Sequence, residues 1–244
     1  MRVDAFVIRL RRRTNMEAAD LGVRLCQYSA RSVFSCYLIV LLPVTIFSLA
    51  LIEIVDWLPA LVLWWAKPWL DRTILFVLSR AAFGQKTSIR DLWEAQRQVW
   101  WGQIIRTWTT RRLSPWRSYT QPAYQLEGQR GSKLRKRIAQ LRRGHTSSPL
   151  LMTSAFSLAE LALTFALLSL IYWFAPQGYE PDLTGLLDGT GSTHLQFAYA
   201  LAYAFVIAFL EPFYVASGFA MYLNRRVELE AWDIEQEFRR AFAQ

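Results

Sequence analysis

Three stretches of this chain, Val33 to Val55, Leu150 to Ala175 and Leu195 to Leu223, carry a single charge each, at Glu53, Glu160 and Glu211. A helix that crosses ~30 Å of hydrocarbon needs ~20 mostly apolar residues, because lipid offers no partner for an unpaired backbone group. All three stretches are longer than that, and longer than an ordinary core helix of a small soluble domain. A fourth stretch, Trp57 to Phe83, is apolar at both ends but holds Lys67, Pro68, Asp71 and Arg72 near its middle. Neither half spans alone, so it is either one broken crossing helix or a re-entrant segment.

The charge distribution favours a crossing. Between Arg80 and Arg143 there are 15 basic residues against three acids, and residues 1–32 hold seven Arg against three acids. The segment from Pro176 to His194 has Glu180, Asp182 and Asp188 and no Lys or Arg. Basic segments stay on the cytoplasmic side, so the first two belong inside and the third outside. Four crossings with both termini inside satisfy this pattern; three place one basic segment on the wrong side. The expected fold is therefore an all-α polytopic membrane bundle. It has a cytoplasmic amphipathic lead-in (1–32), two crossings (33–84) and a basic interfacial region (85–147). Two further crossings joined by an outer loop at 176–194 (148–223) and a cytoplasmic C-terminal helix (224–244) complete it. Arg11 to Arg13 precede no short apolar region with a cleavage site, so the N-terminus reads as a retained lead-in and not a targeting peptide.

Only 19% of the 244 residues are charged, below the roughly 25% of soluble domains, while 53% are hydrophobic, which excludes disorder. The formal +9 by itself points to nucleic acid. The densest basic run, Lys133, Arg135, Lys136, Arg137, Arg142 and Arg143, has no interleaved aromatics to stack on bases, and it stands just before a crossing. Anionic lipid headgroups are its expected contact, with a plain topology signal as the simpler reading, and no nucleic-acid partner is expected. Residues 88–110 read as an interfacial helix capped by Ser88, with Trp93, Val99, Ile104, Ile105 and Trp108 on its apolar side. Trp57, Tyr172 and Trp173 fall at the outer boundary, and Trp93, Trp100, Trp101, Trp108 and Trp116 at the inner one. Cys26 and Cys36 lie ten residues apart on what reads as continuous helix, too far for a disulfide.

Lys67, Asp71, Arg72, Glu160 and Glu211 all fall near mid-depth. A lone charge there costs at least ~2.5 to 3.5 kcal/mol, so these groups are expected to face one another as an intramembrane polar seam. Pro68 and Pro212 follow Lys67 and Glu211 and are expected to loosen their helices at the charge. Such a seam serves either to fix helix register or to form the midplane site of a transporter. Ala200, Ala204 and Ala208, and Ala155 with Ala159, mark close-packing faces. Beyond the last crossing, Arg225, Arg226, Glu230, Trp232 and Asp233 make a charged helix suited to docking a membrane-protein partner or a second copy, with Arg226 and Glu230 spaced for an i, i+4 ion pair.

Catalytic patterns are missing. His145 and His194 fall on opposite sides of the membrane and near no other ligand at metal spacing, and there is no nucleophile elbow, phosphate-cradling loop or paired-His motif. No catalytic residue, metal or cofactor is assigned. Surface acids such as Glu127, Glu230 and Asp233 are the only groups an enzyme at the membrane surface would have.

Several short marks resemble a bacterial family: the integral membrane domain fused to some glycerophosphoryl diester phosphodiesterases, with its uncharacterised multi-pass relatives. They are Glu17-Ala18-Ala19-Asp20-Leu21-Gly22, Leu126-Glu127-Gly128 before the basic helix Leu134 to Leu141, Tyr222-Leu223-Asn224-Arg225-Arg226, and Glu230-Ala231-Trp232-Asp233-Ile234-Glu235. The resemblance implies a polytopic bacterial membrane fold without the catalytic domain. The relatives usually have six crossings and a Gly where Ala231 stands, and they place a helix pair where Trp100 to Pro122 is too polar here to span. The leading expectation is a non-enzymatic inner-membrane scaffold or partner subunit. A small transporter or channel component using the intramembrane charges comes second, and a lipid-modifying enzyme third.

Overall fold

The structure, a computed structural model, describes residues 13–102, 107–109, 113–174 and 192–230. Thr14 opens the first helix, α1 (Asn15–Tyr28), by accepting the Glu17 amide on its hydroxyl, 3.2 Å away. Ser29 breaks the chain before α2 (Ala30–Ala50), which closes in a 3-10 turn, Leu51–Glu53. The two cysteines therefore stand on separate helices, both free and buried. A short turn leads back into α3 (Leu58–Ala81), where Ser48 donates to the carbonyl of Pro59 at 2.6 Å and closes the hairpin. Then follow α4 (Ile89–Glu94), α5 (Arg117–Gln125), α6 (Gly131–Arg142), α7 (Ser147–Trp173) and α8 (Thr193–Glu230). No strand occurs among the described residues.

Three helices are long and apolar enough to cross a membrane: Ala30–Glu53, Ser147–Leu170 and Thr193–Glu230. Length and composition thus suggest a helical membrane protein, and the surface agrees. Leu42, Ile46 and Phe47 on α2, Leu158 and Leu161 on α7, and Phe205 and Phe209 on α8 are all more than half exposed. The interior, by contrast, holds Lys67, Asp71, Arg72, Arg117, Gln121 and Glu211. Water would select the opposite arrangement; a lipid surround leaves apolar side chains outside and drives charges to one another within.

Within the stretch Trp57 to Phe83, Leu58–Ala81 is one continuous helix through Pro68, without a break, and it is not one of the three helices apolar enough to cross by composition. Its 24 residues extend about 36 Å at 1.5 Å each. From Leu70 to Leu75 every residue is buried, so α3 is enclosed on all sides there and shows no single apolar stripe. Its charges point into protein, where neighbouring helices supply partners that an average over the sequence does not register.

The last apolar stretch and the first residues of the tail, to Glu230, are likewise one helix. Its 38 residues, about 57 Å, run through Pro212 and past Asn224 without the expected break. Neighbouring helices surround its inner half from Tyr214 to Asn224, and helix-breaking residues are tolerated where packing is that close. α1 lies along this half. Asn224 accepts the Arg13 amide at 3.0 Å and donates to the Arg13 carbonyl at 2.8 Å, and Gly22 sits where α1 meets the backbone of Ala216 and Ser217. Any Cβ at position 22 collides with the Ala216 carbonyl. Gly22→Val is expected to destabilise the detergent-solubilised protein by about 1–3 kcal/mol through overpacking, read as a lowered Tm. An unchanged Tm would mean that α1 does not rest there.

Other expectations fail locally. Ser88 does cap a helix, in a capping box with Asp91 whose hydrogen bonds hold the Asp91 carboxyl below its usual range, but α4 ends at Glu94 and not near 110. A π turn, Arg97–Trp101, follows, and Gly102 leaves helical geometry so that its carbonyl meets Arg72 while Trp100 donates to Thr73 at 3.0 Å. Ile104, Ile105 and Arg106 lie outside the described residues, as do the outer-loop acids Glu180, Asp182 and Asp188 and the tail residues Trp232 and Asp233. Ala200 and Ala204 are buried as expected, but Ala155 faces outward, so α7 does not use that face within this chain.

Candidate functional site: a buried ion cluster beside a lateral cleft

Lys67 and Asp71, four residues apart, share one face of α3. Lys67 donates to Glu160 of α7 at 2.5 Å and pairs with Glu211 of α8 at 2.8 Å. The other oxygen of Glu211 accepts Arg117 Nη2 at 2.5 Å, and Arg117 Nε lies 2.7 Å from Asp71 at ion-pair distance, without the alignment of a hydrogen bond. Four helices thus meet through five charged groups. Lys67, Asp71, Glu160 and Glu211 come together as the expected seam.

Arg72 does not join them. Five residues from Lys67 it is turned about 140° around the helix, and its guanidinium donates to the carbonyls of Gly102 and, at 3.1 Å, Gln98. Its own carbonyl accepts Gln125 of α5 at 2.7 Å. Arg72 anchors the connector between α3 and α5 and leaves the seam to Arg117.

Arg117 is the residue that sequence reasoning missed. The basic region 85–147 is not interfacial throughout: every residue of α5, Arg-Ser-Tyr-Thr-Gln-Pro-Ala-Tyr-Gln, is buried. Some of its polar groups find partners inside, while Ser118 Oγ and Gln121 Oε1 accept no hydrogen bond among the described residues. Tyr119 donates to the Leu141 carbonyl at 2.8 Å and Gln121 to Gln125 at 3.1 Å. Arg117 also lies over the ring of Tyr214, 5.2 Å from its centre. Gly218 of α8 admits Ser118 where any side chain would collide, and so brings α5 close enough for Arg117 to reach Glu211.

Beside the cluster a cleft of about 650 Å³ opens between α3, α7 and α8. Lys67, Arg117, Glu160 and Glu211 form its charged wall, with Trp64, Phe156, Tyr199, Tyr203 and Tyr214 around it. Its rim residues Leu61, Trp64 and Leu161 are exposed at 39%, 37% and 52%, so the cleft opens sideways through the apolar surface.

A second cluster sits at the far end of α8. Arg137 forks onto Glu127 at 2.9 and 2.8 Å and reaches Glu230, while Arg226 donates to Glu230 at 3.0 and 2.5 Å in the expected i, i+4 pair. Tyr222 donates to Glu127. Arg137 therefore ties α6 to α8, and Arg142 covers the Trp116 ring at 3.7 Å; Lys133, Arg135, Lys136 and Arg143 are exposed. Arg225 pairs with Glu228 at 2.7 Å and with the Arg143 carbonyl at 3.0 Å, so of the proposed docking residues Arg225, Arg226 and Glu230 are engaged within the chain. His145 lies 3.4 Å from Glu228, and His194 is exposed at the opposite end of α8.

Compared with protein-family models, with curated proteins and with solved structures, the chain has no match.

Proposed function

We propose that this chain is a four-crossing protein of the bacterial inner membrane, with both termini and the basic connector in the cytoplasm, that binds or transports a small amphipathic solute in the lateral cleft. One observation carries the reading: the mid-depth ion cluster is not sealed by packing but forms a wall of about 650 Å³ of open space. A network that served helix register alone has no need of that space. The volume falls in the range of small-molecule sites, and charge at the midplane of a membrane bundle marks a functional pathway by default.

Contacts at the two ends of the bundle support the orientation. Thr193 donates to Asp56 at 3.2 Å, so the start of α8 lies beside the α2–α3 turn. Arg13, Arg137 and Arg143 meet the other end of α8, which puts the basic segments together. Single cysteines introduced at positions 133 and 136 are expected to react with an impermeant maleimide only from the cytoplasmic side; reaction from the periplasm overturns the orientation. The native cysteines leave this assay silent, since both are buried and burial pushes the Cys26 thiol up to about 12.

The test of function is flux. Purified protein in vesicles is expected to release or accumulate an amphipathic solute, and Glu160→Gln is expected to lower that flux at least tenfold while the protein stays monodisperse. If Glu160→Gln changes expression only, the cluster is structural. A scaffold or partner subunit is then the better reading, and a second observation favours it: only 11% of the apolar span of α7 is buried, which leaves that helix free to meet another protein.

A further inference from the structure

Among the described residues of the ion cluster, Lys67 and Arg117 face Asp71, Glu160 and Glu211, two cations against three carboxylates, a formal charge of −1. Arg72 is turned away toward backbone carbonyls and does not alter the sum. The three carboxylates are not equally placed. Glu211 is 2% exposed and holds both cations, and Asp71 is fully buried against Arg117. Glu160 is 17% exposed, lines the cleft, and among the described residues shares its ion-pair partner, Lys67, with Glu211. Only its Oε2 makes a hydrogen bond among the described residues; Oε1 has none. Glu160 is therefore the least enclosed carboxylate of the cluster, on the cleft side.

The wall opposite suits a cation. Tyr199 and Tyr203 stack with centres 6.4 Å apart on the α8 side of the cleft, and Trp64 stands on the α3 rim. Aromatic faces attract positive charge, most strongly where water is excluded. The rim is apolar and opens through the lipid-facing surface, so a ligand arriving by that route has an apolar body.

We propose that the cleft binds one lipophilic monocation, drawn from the bilayer, whose positive centre is held by Glu160 between the tyrosine pair and Trp64. The positive group is either that of a free lipophilic cation or the ammonium of a lipid headgroup. This rests on the cleft being a binding site, and it adds the sign and number of the ligand's charge.

Two ions of matching size and shape and opposite charge test it: tetraphenylphosphonium and tetraphenylborate. Binding is measured to the full chain in nanodiscs of phosphatidylglycerol, which carries no ammonium, against empty nanodiscs. Saturable 1:1 binding of tetraphenylphosphonium, at least tenfold tighter than tetraphenylborate, is the expected result. Glu160→Gln is expected to weaken the cation at least tenfold and to narrow or abolish its preference over the anion. Doping the nanodiscs with phosphatidylethanolamine separates the two sources. Competition supports the headgroup ammonium, and its absence supports the free cation. Equal or tighter binding of tetraphenylborate overturns the proposal but keeps the cleft as a binding site. If neither ion binds, the binding reading falls as well. The wild-type comparison needs no variant, so it stands even if Glu160→Gln fails to fold.

Discussion

Arg117→Leu is expected to remove most of the folded protein from a detergent extract. The guanidinium holds Asp71 and Glu211, whose side chains are 0% and 2% exposed, and without it two buried carboxylates converge with Lys67 the single remaining cation. Breaking a buried ion pair by deleting one partner costs about 3–5 kcal/mol, against a total stability of about 5–15 kcal/mol. Leu retains much of the apolar stem, so the loss reflects charge and hydrogen bonds more than volume. Arg117→Lys is expected to fall between, because one ammonium does not span two carboxylates as the planar fork does. The double variant Arg117→Leu, Asp71→Leu removes one charge of each sign and leaves Lys67 with Glu160 and Glu211, so it is expected to regain at least half of the lost Tm. If the single variant extracts as a monodisperse protein with an unchanged Tm, the cluster contributes nothing to the fold and α5 is not anchored there.

The seam was legible in the sequence to the extent that its charges stand alone among apolar residues. Lys67, Asp71, Glu160 and Glu211 are conspicuous because nothing near them is charged except Arg72, and helical spacing already separates that residue: position 71 lies about 40° around from Lys67 and position 72 about 140°. Arg117 was hidden for the opposite reason. It is one of 15 basic residues between Arg80 and Arg143, and α5 has neither the length nor the apolar periodicity that marks a membrane-embedded helix. One signal was available, since helical spacing turns Arg72 away and leaves the other four charges at −2, in need of another cation; the tally does not say which. The bounds of the connector helices were illegible because tertiary bonds fix them, as when Gly102 turns out of helical geometry to meet Arg72. The continuity of α3 and α8 through their prolines was misjudged because close neighbours, absent from any one-dimensional reading, hold both segments on all sides.

A second prediction separates the two fully buried carboxylates. Glu211→Gln and Asp71→Asn each remove one negative charge with almost no change of volume, and each brings the cluster from −1 to neutral, so net charge alone gives them equal effects. Geometry does not. Glu211 accepts a hydrogen bond from Arg117 at 2.5 Å and pairs with Lys67 on its other oxygen at 2.8 Å, whereas Asp71 lies beside Arg117 without an aligned hydrogen bond. Losing one charge-assisted bond, worth about 1.5–3 kcal/mol, together with the buried Lys67 pair gives Glu211→Gln a cost of about 3 kcal/mol. Asp71→Asn is expected to stay within about 1 kcal/mol of the parent, since it gives up a poorly directed contact and relieves the excess charge of a low-dielectric site. Thermal unfolding of both proteins in one detergent reads the difference. Equal losses would mean that only the charge sum matters, and a larger loss for Asp71→Asn would mean that Arg117 takes its main support from α3, leaving Glu211 to Lys67.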